Sequence, residues 1–276
     1  MKYNYIEVKI NTTHKPPYFI GSMIRGSMGY ALKKVTCINP SYKCEGCFAQ
    51  ESCLYYNFYE KPNTFHPFRF DVMLDSKGYG FGLYLFNEAT KELSYVLSAL
   101  HMMLTQNGLG KEQYTFENIE ILVDATKVYD KEGFKSFDVE PKVFKLDSYC
   151  PNVKLRLLTP LRIKKANKLL REELELEDML RSVYQREQEL NSREKVYRLP
   201  YTPKKETTLK LLQYKQLKRK SNRQKQTLSI DGLIGEMLIT GIDEQSYHLL
   251  KLGELIGVGK QTVMGLGKIE VINTRV

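Results

Sequence analysis

Apolar and polar positions along the chain follow two periods. Residues 3–10 (Tyr-Asn-Tyr-Ile-Glu-Val-Lys-Ile) alternate with the period of two that marks a half-buried strand. Residues 20–35 change to a helical period, with Ile24, Met28 and Leu32 four apart. Strand character returns over 67–74 and 81–86, on either side of a Ser76-Lys77-Gly78 turn. Asn87 stands where it would cap a helix over 88–105, which places Leu93, Val96, Leu97 and Leu100 on one face. Asn107-Gly108 ends that helix, and 118–128 reads as a further strand. The order is β-α-β-β-α-β.

The second half gives the same order. A strand is expected over 153–163, then a charged helix over 173–190 with Leu174, Leu176, Met179, Leu180 and Val183 as its apolar stripe. Strands over 209–218 and 226–240 flank a basic turn, a helix runs over 243–256, and a last strand covers 266–271. Two such units predict an α+β protein of tandem ferredoxin-like (RRM-like) domains, over 1–150 and 151–276. The first carries a cysteine-rich insertion at 37–53. The halves share an order of elements and no residue-level repeat. Each sheet is expected to leave one face open, and a related four-stranded sheet is a common RNA platform.

The length of 276 residues suits two domains, and an apolar content of 42% suits packed cores. No run of eighteen apolar residues occurs, so no membrane span is expected. The first residues form a strand rather than an apolar leader, which predicts a cytoplasmic protein.

Charge sharpens the picture. The net charge is +10, and residues 204–225 hold nine Lys/Arg against one acid, Glu206. Positive charge this dense attracts a polyanion. A solvated strand edge guarded by lysines is the alternative. Arg219, Lys220, Arg223 and Lys225 are the expected RNA contacts, with Tyr214 and Asn222 interleaved.

Near the C-terminus, residues 257–268 (Gly-Val-Gly-Lys-Gln-Thr-Val-Met-Gly-Leu-Gly-Lys) combine four glycines with two lysines. Such a loop can present bare backbone amides to an anion. The spacing excludes a P-loop, because Gln261 follows Gly259-Lys260, and it excludes G-x-G-x-x-G, because Thr262 takes the third glycine's place. Gly257, Gly259, Gly265 and Gly267 are expected to place amides against RNA, with Lys260 and Lys268 on phosphate. A ligand-free glycine hairpin is the alternative.

Cys37, Cys44, Cys47 and Cys53 cluster as C-x6-C-x2-C-x5-C, and Gly46 lies in the C-x2-C turn. In a cytosolic chain this spacing is compatible with structural zinc, as in a knuckle, with an iron–sulfur cluster, or with free or redox-paired thiols.

Taken together, several blocks resemble one family. They are Ser221-Asn222-Arg223-Gln224-Lys225, Gly232-Leu233-Ile234-Gly235, residues 249–260 (Leu-Leu-Lys-Leu-Gly-Glu-Leu-Ile-Gly-Val-Gly-Lys) and Gly265-Leu266-Gly267. The stretch 24–34 (Ile-Arg-Gly-Ser-Met-Gly-Tyr-Ala-Leu-Lys-Lys), followed by the cysteines and Tyr55, is similar to one branch of it. The family is that of the CRISPR repeat-processing endoribonucleases, the sixth Cas family, within the RAMP superfamily. The resemblance implies binding of CRISPR repeat RNA, as precursor and as guide, and one cut without a catalytic metal. In that cut the 2′-hydroxyl attacks the adjacent phosphate and leaves a 2′,3′-cyclic phosphate. It also implies association with a CRISPR effector complex, or, in the alternative, a non-catalytic repeat-binding subunit. A zinc-containing protein-interaction module is a reading from a different class.

The reaction needs a base, an acid and a cation at the phosphorane. Family members often carry a histidine in or just after the first helix. Here the comparable position is Tyr30, an intrinsically poor base at neutral pH. Tyr30 is expected to orient the 2′-hydroxyl, with Lys33 or Lys34 offsetting charge. Among His14, His66, His101 and His248, His14 is the best candidate base, because it lies in the loop between the first strand and the first helix. Arg25, on that helix, is a candidate phosphate contact.

Overall fold

The structure is a computed structural model that describes residues 1–221 and 226–274. The chain divides into two compact units, Met1–Val143 and Phe144–Val276.

In the first unit the elements are β1 (Lys2–Ile10), α1 (Gly21–Thr36), β2 (Phe68–Asp71), β3 (Phe81–Phe86), α2 (Leu93–Met102), β4 (Ile119–Val123), β5 (Thr126–Asp130), β6 (Gly133–Phe134) and β7 (Lys142–Val143). The sheet runs β2-β3-β1-β4-β5-β6, with β7 added to β1. The first four strands of that order are those of a ferredoxin-like sheet, and all are antiparallel. The period-two pattern of β1 is borne out: Asn4, Ile6 and Val8 are buried, and so are Ile24, Met28 and Leu32 of α1 and Val96, Leu97 and Leu100 of α2. The other face carries Tyr3, Tyr5, Tyr84 and Phe86, packed on one another, with the Arg69 guanidinium 4.7 Å from the Tyr84 ring centroid.

Two local expectations are corrected. The strand expected over 118–128 is a hairpin, because Asp124 and Ala125 both take positive φ (50° and 73°) and turn the chain between β4 and β5. Asn87 does not cap a helix. Its own φ is 47°, and its Oδ1 accepts the Lys2 amide at 3.0 Å. A 3-10 turn (Asn87–Glu92) leads into α2, which ends through a π turn (Met103–Asn107) before Gly108.

The second unit contains β8 (Val153–Leu161), β9 (Lys164–Lys165), β10 (Lys168–Leu169), α3 (Leu176–Leu190), β11 (Thr207–Lys215), β12 (Lys218–Ser221), β13 (Gln226–Ser229), β14 (Gly232–Thr240), α4 (Glu244–Ile256) and β15 (Ile269–Asn273). Its main sheet runs β11-β14-β8-β15, the same topology as the first unit. Val153, Leu155 and Leu157 of β8 are buried with Met179, Leu180 and Val183 of α3 and Leu250 and Ile256 of α4. The open face differs from an RNA-stacking platform. Along β11, β14, β8 and β15 it presents Leu209, Leu211, Leu238 and Ile272 around an ion-pair network, and it carries no aromatic ring. In that network Glu236 binds Lys154 and Arg156, and Arg156 binds Glu270 at 2.8 Å.

Among the described residues, no helix is long and apolar enough to cross a membrane.

Candidate functional site

Tyr30, Lys33 and Lys34 lie on the last two turns of α1. Tyr30 is 57% exposed, and the Lys34 ammonium sits 4.7 Å from its ring centroid, as the i, i+4 spacing allows. Lys34 Nζ also donates to Asn107 Oδ1 at 3.3 Å. Lys33 is turned to a different neighbour, the Tyr55 ring, at 4.9 Å. Tyr55 stacks on Tyr59 with centroids 5.5 Å apart and planes at 5°. The Arg25 guanidinium lies over the Tyr59 ring, 4.8 Å from its centroid. Arg25, Gly29 and Lys33 are four apart, so one face of α1 carries a cation–ring–ring–cation ladder. Arg25, expected as a phosphate contact, packs here on the segment that follows the cysteines. Burial pushes the Tyr59 phenol well above its usual value, and its hydroxyl donates to the Arg25 carbonyl at 3.1 Å.

His14 is exposed in the loop after β1. Its ring lies 5.1 Å from that of Tyr114, and its amide donates to Thr12 Oγ1. The structure therefore brings Tyr30 and Lys34 together and sets His14 against Tyr114. The other histidines have structural neighbours. His101 packs on Tyr129 and Phe134, where burial holds its imidazole below the usual range. His66 Nδ1 is 3.2 Å from the Asn57 carbonyl, and His248 lies 3.9 Å from Glu244.

The expectation of structural zinc finds no support. All five cysteines are free thiols, and among the described residues no three His, Cys, Asp or Glu groups converge to hold a metal. The turn from Cys44 to Cys47 forms, with the Cys47 amide donating to the Cys44 carbonyl at 3.2 Å. The four sulfurs still do not meet. Cys37 Sγ points to the Asn39 carbonyl, while Cys44 neighbours Lys33, Glu60 and Cys53. Burial pushes the Cys44 thiol up, against the pull of Lys33. Four thiolates around one ion need a shared centre, and this donor set lacks one.

The glycine loop also behaves differently from the expectation. Gly257, Gly259, Gly265 and Gly267 are buried, and their amides have protein partners. The acceptors are the carbonyls of Gly253, Thr262 and Pro160 for Gly257, Gly265 and Gly267, and Ser182 Oγ for Gly259. The Lys260 and Lys268 amides donate to the Arg162 carbonyl and Thr159 Oγ1. The bare-amide cradle is therefore absent. The loop closes the unit's core between β8, α3 and β15. Gly267 shows why glycine is needed: its φ is +68°, and a Cβ there would stand 1.8 Å from the Val258 carbonyl oxygen. What the loop leaves outside is the exposed Lys260 side chain.

The basic segment is a long hairpin in two parts. β11 pairs with β14 over its full length, and β12 pairs with β13 beyond it. The break occurs where Asp231 Oδ1 captures the Leu217 amide at 2.7 Å. Lys205 and Lys210 are bound by Glu175, so part of the segment's charge is neutralised within the unit. Lys218 is exposed, and Arg219 and Lys220 lie on β12. Arg223 and Lys225 lie outside the described residues.

A second basic hairpin escaped the sequence reading. Arg162, Lys164, Lys165, Lys168 and Arg171 occur within ten residues that hold no acid, and Lys164, Lys165 and Lys168 lie on β9 and β10 around Ala166-Asn167. Residues 172–178 then bring five carboxylates, so any average over the region cancels. Reading the signs in order would have found it.

Comparison with known proteins agrees with the two-unit architecture. A family model described as an N-terminal domain, AF_1859_N, matches residues 1–141, and the model of the CRISPR-associated endoribonuclease Cas6 matches residues 155–269. No curated protein matches the chain. Among solved structures, a Cas6 product complex aligns at TM-score 0.58 with 15% identity, covering 99% of each chain. A Cas6-related protein from Pyrococcus furiosus aligns at 0.54 with 13% identity, covering 99% of this chain and 100% of that one. Thermus thermophilus Cas6 aligns at 0.51 with 13% identity, covering 98% of both. The second unit thus carries a domain of the Cas6 family of CRISPR-associated endoribonucleases over residues 155–269, and the whole chain shares its fold of tandem ferredoxin-like units with solved Cas6 structures.

Proposed function

We propose that this chain binds a CRISPR repeat RNA and cuts it once, without a catalytic metal. The O2′ atom at the cut attacks the adjacent phosphorus and loses its proton, the P–O5′ bond breaks, and O5′ takes up a proton. The products are a 2′,3′-cyclic phosphate and a 5′-hydroxyl. The observation that carries this reading is the pairing of Tyr30 with Lys34 on the exposed end of α1, with Lys33 one residue away. A phenol beside an ammonium offers a hydrogen bond to the 2′-hydroxyl and positive charge to the phosphorane. His14, exposed in the preceding loop, is the candidate to take the 2′ proton. Lys260, Lys268, Arg219, Lys220, Arg223 and Lys225 are the proposed phosphate contacts, and the glycine loop serves by holding Lys260 and Lys268 in place rather than by its amides.

An end-labelled repeat RNA incubated in EDTA tests the reading. The expected result is one cut with a cyclic-phosphate end, abolished by 2′-deoxy substitution at the cut while binding persists. Lys34→Ala is expected to slow single-turnover cleavage about 10²-fold. Binding without any cut supports the second reading, a repeat-binding subunit of an effector complex. That reading is favoured by the lack of histidine anywhere in Gly21–Thr36.

A further inference from the structure

At the root of the two basic hairpins the second unit holds a pocket of about 510 Å³, lined by Arg171, Glu172, Glu173, Lys210, Tyr214 and the apolar pair Leu212 and Leu233. Its volume is within the range of small-ligand sites, ~300–1,000 Å³. The floor is built by the register of the sheet. Lys210, Leu212 and Tyr214 alternate onto one face of β11, and Leu233 of β14 lies opposite Tyr214. The Arg171 guanidinium stands 5.5 Å from the Tyr214 ring centroid, at the exit of the β9–β10 hairpin. Lys210 is held by Glu175, which leaves Arg171 as the exposed cation of the lining. Exposed Lys164 and Lys168 continue the positive charge along the hairpin beyond Arg171.

A flat ring, a guanidinium beside it and two exposed carboxylates are the complement of one unstacked nucleotide. The ring and the apolar pair suit the face of a base. The guanidinium suits its phosphate. The carboxylates of Glu172 and Glu173 accept hydrogen bonds and repel phosphate, so they suit exocyclic amino groups at the base edge. We propose that this pocket takes a single unpaired nucleotide of the bound RNA, with a base that carries an exocyclic amino group, cytosine, adenine or guanine, in preference to uracil. The proposal rests on the RNA-binding reading above and adds to it a place where sequence is read.

Binding of eight-nucleotide oligo(C), oligo(A) and oligo(U) RNA to the full chain, and to variants at this pocket, tests it. Wild type is expected to bind oligo(C) and oligo(A) at least about fivefold more tightly than oligo(U). Tyr214→Ala is expected to weaken oligo(C) and oligo(A) binding by about 5- to 150-fold, whereas Tyr214→Phe, which keeps the ring, stays within about twofold of wild type. Glu172→Gln with Glu173→Gln is expected to erase the preference over oligo(U). Two results would overturn the pocket and leave the RNA-binding reading intact. One is wild-type affinity in Tyr214→Ala, and the other is equal affinity of the wild type for all three oligomers. Loss of binding in Tyr214→Phe as well as Tyr214→Ala overturns stacking as the mode of recognition. Failure of the wild type to bind either the oligomers or a whole repeat removes both readings together.

Discussion

Gly29 has no side chain, and this lets the Tyr59 ring lie against α1. A Cβ at position 29 would stand 2.6 Å from Tyr59 Cε1, and the ring cannot retreat freely, because Tyr55 stacks on it and its hydroxyl is bonded to the Arg25 carbonyl. Two effects oppose each other in Gly29→Ala. Alanine gains up to ~1 kcal/mol of helix propensity over glycine. Forcing a methyl group into this contact costs ~1–3 kcal/mol. The clash is expected to win, giving a net loss of about 1 kcal/mol in urea denaturation and faster proteolysis between residues 37 and 66. Unchanged stability with unchanged proteolysis would mean that the ladder does not hold the insertion. The i, i+8 cations and the glycine midway between them were visible in the chain, as were the tyrosines at 55 and 59. Their docking was not, because it joins side chains thirty residues apart.

The helices show which local signals carry weight. Asp243 starts α4 as the sequence suggested, accepting from the Ser246 amide at 2.9 Å and the Ser246 hydroxyl at 2.8 Å. It also accepts the Lys204 amide at 2.6 Å. Burial alone would raise its carboxyl, yet these donors outweigh burial and hold it below the usual carboxylate range. A carboxylate depressed in the folded state contributes stability in full above its unfolded value, ~3.9, and loses it as pH falls through the folded value. Asp243→Ala is therefore expected to cost about 1–2 kcal/mol at pH 7. The gap between variant and wild type should narrow in denaturation measured near pH 3. A gap that is constant from pH 7 to pH 3 would contradict the role of the charge. Asn87 had the right residue type for the same role and failed in it, because its backbone took a left-handed turn and its side chain was claimed by β1. The strand expected at 209–218 broke at Leu217 for a similar reason, the reach of Asp231 across the hairpin.

Across the molecule, the net charge of +10 is real but unevenly available. Lys154 and Arg156 are paired on the open sheet face, and Lys205 and Lys210 are paired with Glu175. Lys164, Lys168, Arg171, Lys218 and Lys260 are exposed. If those five meet phosphates of a single strand, log K against log salt should fall with a slope of about −3.5, at about −0.7 per phosphate. Lys164→Ala with Lys168→Ala should flatten it by about 1.4. A double variant with the wild-type slope would remove the β9–β10 hairpin from the RNA interface.

The order of elements, the two periods and the charge blocks were determined by the amino-acid sequence itself, because each depends on neighbours a few residues apart. That is why two β-α-β-β-α-β units could be read directly. The tertiary structure alone decided where the loop amides and the charges ended. The Gly267 amide finds Pro160, Lys210 finds Glu175, and Cys44 neighbours Cys53 without a third group joining them to hold a metal. A donor's partner is chosen by proximity in space, across separations of tens to a hundred residues, and no local pattern records it.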